Sequence, residues 1–253
     1  MSSILGVDEE ALSRSTMIYG ETGMARLQKA RVAIFGIGGV GGMVAEALAR
    51  TGIGGLDLFD YDRVDESNIN RQLWATTETL GQPKTTAAAR RLNLIRPQLD
   101  LVLHPVFIDQ ESLASIPFNT YDYVVDAVDT VTAKLLIIAS AAAVGVPVIS
   151  AMGAGNKVNP QAFEVARIEE TSVCPLARVM RRELRKRAIP GVKVVYSKEK
   201  PLRRQQEADP DLRPEGRLQK LSPGSVMFAA GAAGLLLAAE VVSDLTGLDR
   251  LHD

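Results

Sequence analysis

Short unbroken apolar runs alternate along this chain with longer stretches in which apolar residues recur at three- and four-residue steps. Residues 32–35, 56–59, 99–106, 121–125 and 146–150 read as strands. Between them, Val44, Ala45, Leu48 and Ala49 recur at helical spacing, 84–94 is an alanine-rich helix opened by Pro83, and 132–144 is a third helix. Residues 112–116 make a short helix at best. This alternation predicts an α/β fold, Rossmann-like and doubly wound, whose mostly parallel sheet carries helices on both faces and binds ligands at the carboxyl ends of its strands. Beyond Gly153-Ala154-Gly155 the pattern changes. Phe163 to Val165 and Val192, Val194 and Tyr196 predict antiparallel strands that extend the sheet and flank a basic helix. The chain reads as a single domain over 1–253, with a nucleotide-binding core at 31–155, an annex at 156–225 that would meet substrate, and a packing helix at 226–245. Residues 201–222, rich in Pro, Gln, Asp and Arg, read as a mobile loop.

The first candidate chemistry lies where the first strand turns into its helix. RVAIFGIGGVGG places Gly36, Gly38, Gly39 and Gly41 in a tight turn, whose backbone N–H groups and following helix N-terminus suit a polyphosphate. The second strand closes on Asp60, in LFDYD with Asp62, where a carboxylate can accept ribose hydroxyls. Taken only this far, the spacing fits NAD and ATP proteins equally.

A dense polar block then breaks the tie. Asn68, Arg71 and Gln72 of SNINRQ and Lys84 of GQPK follow closely, and Asp129 stands at the end of the later strand YVVDAVD. A carboxylate that attacks the α-phosphorus of ATP builds negative charge on the phosphoryl oxygens and expels pyrophosphate. Arginine and lysine neutralise that charge, and an aspartate can hold Mg²⁺ across the phosphates. Singly, Arg71 and Lys84 would be ordinary surface cations and Asp129 a helix cap. Together they favour an ATP site with Asp129 as its metal ligand.

GIGGVG, DYDRVDESNINRQ, GQPK and VVDAVDT resemble the adenylating enzymes of the ubiquitin-activating-like superfamily. SRSTMIYGETGM, AEALARTGIG, VPVISAMGAGNKVNP and ARVMRRELRKRAIPGVKVVYS are similar to its tRNA threonylcarbamoyladenosine dehydratase branch, and the likeness covers nearly the whole chain. The resemblance implies that ATP activates the carboxylate of a threonylcarbamoyl group beside the tRNA anticodon, which then cyclises with loss of water. It further implies that Asp60 holds the ribose, Asn68, Arg71 and Lys84 the phosphates, and Asp129 the magnesium, while Arg14 reaches the γ-phosphate from the partner in a homodimer. An activating enzyme for a ubiquitin-like or sulfur-carrier protein is the alternative, and a non-catalytic RNA-binding protein a third class. A sulfur-relay or other accessory protein could join the enzyme.

Cysteine usage separates the branches. Relatives that charge carrier proteins often bear paired CxxC zinc motifs, and some a thioester-forming cysteine; this chain has one cysteine, Cys174, in a setting that reads as structural. Ring closure needs no thiol, because the nucleophile is tethered to the activated carboxyl, and good orientation of that kind is worth about 7–11 kcal/mol of barrier. One cysteine and an N-terminus interrupted by Asp8, Glu9 and Glu10 point to the cytoplasm.

With a formal net charge of −1, the whole protein does not announce a polyanion partner. Between Arg178 and Arg204, however, eleven cations stand against Glu183 and Glu199. Arg178, Arg181, Arg182 and Arg185 fall along one helix face, with Ala177, Met180, Leu184 and Ala188 on another, which favours RNA contact over a merely solvated helix, and the resemblance makes that RNA tRNA. The apolar run VMFAAGAAGLLLAA stops at Glu240, short of the roughly 20 residues of a spanning helix. No membrane association is expected, and Gly231 and Gly234 would admit a close backbone. His104 and His252 lack metal spacing, and Trp74 is expected to anchor its loop.

Overall fold

The computed structural model describes residues 3–202 and 223–248. Its strands are β1 (Arg31–Phe35), β2 (Gly55–Phe59), β3 (Asp100–His104), β4 (Tyr123–Asp126), β5 (Val148–Ala151), β6 (Phe163–Arg167) and β7 (Lys193–Ser197). They form one sheet in the order β3-β2-β1-β4-β5-β7-β6. Every neighbouring pair is parallel except β6 with β7. The expected antiparallel extension is therefore one edge pair, β6 with β7, and β7 itself continues the parallel sheet beside β5. Strand order reverses between β2-β1 and β4, which opens a crevice at the carboxyl ends of β1 and β4.

The helices are α1 (Ser3–Lys29), α2 (Gly39–Thr51), α3 (Lys84–Ile95), α4 (Gln110–Ala114), α5 (Val131–Ala143), α6 (Pro175–Lys186) and α7 (Met227–Thr246). One face of the sheet, with Val32, Ile34, Leu56, Leu58 and Val125, packs against α2, α3 and α7 and against Leu12, Met24 and Leu27 of α1. Phe35, Phe59 and Val124 project to the other face, where Phe118 and Ile137 cover them. Alternation of side chains along each strand thus feeds two cores, as a sheet buried on both sides requires. A third cluster, built on Ile138, Met180, Leu184 and Val194, seats α6 against α5. Helix α1 is an element that the hydrophobic pattern does not predict. Gly20, at φ 66°, kinks it, and over its described side chains, 10–29, few are buried, so no apolar stripe marks that stretch in the sequence.

The apolar helix near the C-terminus runs past Glu240 to Thr246, so its 20 residues are long and apolar enough to cross a membrane. Its length does not exclude spanning, contrary to the expectation drawn from the stop at Glu240. Packing accounts for its composition. A side chain added at Gly234 would come within 2.5 Å of the Val40 carbonyl oxygen of α2, so this glycine is the point of closest helix approach. Lys193 Nζ of β7 reaches both Asp244 (2.6 Å) and Glu240 (3.3 Å), anchoring the charged end of α7 to the sheet. Residues 203–222, most of the expected mobile loop and with Arg203 and Arg204 among them, lie outside the described residues, as does His252.

Candidate nucleotide site at the sheet crossover

The glycine turn is held by contacts that leave no room for side chains. Gly36 has φ 81° and donates to the Phe59 carbonyl at 2.7 Å, and an added Cβ would meet the Ala127 carbonyl oxygen at 2.9 Å. At Gly41 it would fall 1.9 Å from the Gly36 carbonyl oxygen. Gly38 caps α2 and Gly39 begins it, so the unpaired N–H groups of the first turn open into a cavity of 340 Å³. That volume lies within the range of small-molecule sites, about 300–1,000 Å³.

Gly36, Gly38, Gly39, Asp60, Asp62, Asn68, Arg71, Gln72, Lys84 and Asp129 all line this one cavity. Gly41 serves it indirectly, through the turn. Asp60 follows β2 directly; its carboxylate accepts from the backbone N–H groups of Ile37 and Asp62, both at 2.9 Å. Burial raises its pKa most, and the nearby Lys84 charge and the two N–H donors offset only part of that. Lys84, at the start of α3 and 6% exposed, donates to Asp62 Oδ2 at 2.6 Å and stands 3.9 Å from Asp60 Oδ1.

The segment between β2 and α3 is irregular and yet closely pinned. Asn68 ends a 3₁₀ turn, Glu66–Asn68, in which Asp65 and Asn68 cap each other reciprocally. Arg71 folds back to donate to the Ser67 carbonyl (2.7 Å) and to Asn70 Oδ1 (2.9 Å). Gln72 is buried, and its Oε1 has no hydrogen-bond partner among the described residues. Trp74 is the expected anchor: its indole N–H donates to the Ile37 carbonyl at 2.8 Å, fixing the polar block to the glycine turn.

Two site expectations need correction. Strand β4 ends at Asp126, so Asp129 stands in the turn beyond it, exposed at the cavity wall. The second expectation is an even arginine face on α6. Arg181 instead turns inward and donates to the Thr171 carbonyl, while Glu183 pairs with Arg182, Lys186 and Arg187. Ala188 lies past the helix end and is exposed rather than packed. Arg178 and Arg185 remain as the exposed arginines of α6 with no ion pair among the described residues.

Arg14 is not brought into the cavity. It lies exposed on α1, on the same face as Met17 and Ile18, which are 84% and 67% exposed. Conversely, the sequence pattern does not single out Tyr61 and Phe107, whose rings meet edge to face with centroids 4.9 Å apart at the cavity mouth. Their signal is positional: each follows the carboxyl end of a strand beside the crossover.

A model of the ThiF family matches residues 12–252. The tRNA threonylcarbamoyladenosine dehydratase of Bacillus subtilis is 37% identical over 237 residues, 92% of this chain and 93% of that protein. Crystal structures of the Escherichia coli tRNA N6-threonylcarbamoyladenosine dehydratase share 27% identity with this chain. The complex with ATP superimposes with a TM-score of 0.83 over 94% of this chain and 95% of that one. The complex with AMP gives 0.84 over the same shares. A glycine turn, an acidic second-strand end and a polar block joined around one cavity, on a fold matched from end to end, place the chain in the ThiF family.

Proposed function

We propose that this protein is an ATP-dependent tRNA threonylcarbamoyladenosine dehydratase. It adenylates the threonylcarbamoyl carboxylate beside the anticodon and releases the cyclic form of the nucleoside. The observation that carries this reading is the convergence of Asp60, Asn68, Arg71, Lys84 and Asp129 on the cavity at the α2 N-terminus, in a chain matched over its length by such dehydratases. Asp60 receives the ribose hydroxyls, while the α2 N–H groups, Asn68, Arg71, Gln72 and Lys84 take the triphosphate. A carboxylate oxygen of the substrate then forms a bond to the α-phosphorus and the bond to pyrophosphate breaks. In the second step a tethered heteroatom of the substrate attacks the acyl carbon, and AMP leaves with the carboxylate oxygen. Positioning and charge neutralisation do the work, with no protein nucleophile.

Mg²⁺ suits this donor set. Such an ion takes one or two carboxylates and fills its shell with phosphate oxygens and water, which matches the single exposed Asp129. Among the described residues no group of three His, Cys, Asp or Glu offers a separate metal centre. When bound, the ion neutralises charge on the phosphates as pyrophosphate departs.

The exposed face of α1 suits a homodimer in which Arg14 serves the partner's triphosphate. Phe228 and Leu235 of α7 are likewise exposed, at 55% and 51%, and add apolar surface to such an interface. Arg178 and Arg185 suit tRNA phosphates. The enzyme works in the cytoplasm, where its substrate lies, and α7 belongs to its core rather than to a membrane.

The test is to incubate the purified protein with ATP, magnesium and modified tRNA, digest the RNA, and weigh the nucleosides. A product lighter by one water is expected. Unchanged nucleoside mass alongside ATP turnover refutes the substrate, and pyrophosphate exchange dependent on a Gly-Gly tail would favour the carrier-protein alternative.

A further inference from the structure

Beneath the cavity lies a charged network that the adenylation chemistry above does not use. Asp126, the last residue of β4, is 0% exposed, and Lys134 in the first turns of α5 is 1% exposed. Asp126 Oδ2 accepts from Ser150 Oγ of β5 at 2.6 Å and from Lys134 Nζ at 3.1 Å. Its other oxygen accepts from the backbone N–H of Val128 at 3.2 Å. One carboxylate therefore joins two central strands, the start of α5 and the turn between them.

That turn is the cavity wall: Ala127, Val128, Asp129 and Thr130 all face the site. Both its ends are fixed. Ala127 N–H donates to the Phe35 carbonyl at 2.8 Å, and Lys134 N–H to the Thr130 carbonyl at 3.1 Å. The Asp126 carboxylate holds its middle, through Val128, immediately before Asp129. An ion pair taken wholly out of water is weak support for stability, because desolvation cancels much of the attraction, so its value lies in fixing geometry. The opposite charges of Asp126 and Lys134 also cancel, which leaves the Asp129 carboxylate as the net charge of this wall.

We propose that Asp126, Lys134 and Ser150 are positioning residues that aim Asp129 at the metal-bound triphosphate. The proposal rests on the reading of Asp129 as the magnesium ligand. Partners of this kind behind a metal ligand typically change metal affinity by roughly 10–100-fold when removed.

The test measures binding rather than turnover. Affinity for α,β-methylene ATP is determined by calorimetry with and without magnesium, in the wild type, in Asp129→Ala and in the volume-conserving double variant Asp126→Asn/Lys134→Met, which strands no buried charge. In the double variant the affinity gained from magnesium is expected to fall roughly 10–100-fold while magnesium-free binding and the melting temperature stay near the wild type. A smaller loss in the same direction is expected for Ser150→Ala, which keeps the ion pair and decides the matter if the double variant does not fold. An unchanged magnesium gain, or an equal loss with and without magnesium, overturns the positioning role. If Asp129→Ala itself keeps the gain, the reading of Asp129 fails and the proposal fails with it. If Asp129→Ala loses the gain and the network variants keep it, the positioning role alone is refuted.

Discussion

Lys84 and Asp60 stand 3.9 Å apart inside the cavity with side chains that are both nearly inaccessible, at 7% and 8% exposure. A lysine so placed would meet a triphosphate already desolvated and held in position by Asp62. Its replacement in Lys84→Met is expected to lower the rate of ATP–pyrophosphate exchange by about 10²–10³-fold, the scale on which a preorganised charge donor acts. Steady-state exchange on the folded variant checks this, and a change of less than about threefold, well short of that scale, would remove Lys84 from the chemistry.

Asp129 is exposed and makes no ion pair among the described residues. Asp129→Ala should abolish adenylation while its thermal midpoint stays close to that of the wild type, since surface changes away from such features fall within about 0.5 kcal/mol. Melting curves and exchange assays on the same preparation separate the two effects.

Only Arg178 and Arg185 of the α6 arginines are exposed and outside an ion pair among the described residues. They are two turns apart, about 10.5 Å along the axis. The double substitution Arg178→Gln/Arg185→Gln should weaken tRNA binding at low salt and reduce the slope of log affinity against log salt by about 1 for each phosphate that is no longer neutralised. Arg181→Gln should instead lower stability, because Arg181 holds the Thr171 carbonyl before α6. Filter binding across a salt series, with melting as a control, distinguishes these results.

The proposed homodimer, with Arg14 crossing its interface, would make a complementation test available. Arg14→Ala and Asp129→Ala should each be inactive alone, and mixing them should restore part of the activity, because one site in each mixed dimer has both residues intact. Ile18→Glu should give a monomer by analytical ultracentrifugation. Absence of complementation in proven mixed dimers would place Arg14 outside the active site.

Acid stability should depend on Asp57. Burial would raise its pKa, but the hydrogen bond from His104 and the charge of Arg31 outweigh that and hold it below the ordinary carboxylate value. His104 Nε2 and Arg31 Nε both lie 2.6 Å from its oxygens. For an acid shifted downward, the folded state binds fewer protons than the unfolded one near the ordinary pKa. Its contribution is therefore complete above that pKa and is lost as pH falls through the lower folded value. In Asp57→Asn the midpoint of melting should vary less between about pH 5 and pH 2 than in the wild type.

The sequence alone determined the parallel core and most of the polar residues that line the cavity at its crossover. Buried strands must be short and apolar, the turn at Gly36 and Gly41 excludes side chains, and phosphate groups must follow the strand ends, so each of these demands is written locally. Local pattern could not say which cations of 178–187 are free. That depends on Glu183 drawing in Arg182, Lys186 and Arg187 and on Thr171 capturing Arg181. Nor could it show that Asp126 and Asp129 of a single DAVD motif have opposite fates. One ends a central strand and is sealed against Lys134 and Ser150, while its neighbour three positions on reaches the cavity. Residues distant along the chain decide both outcomes, because burial and ion pairing depend on what folding brings alongside, and only the tertiary structure supplies that.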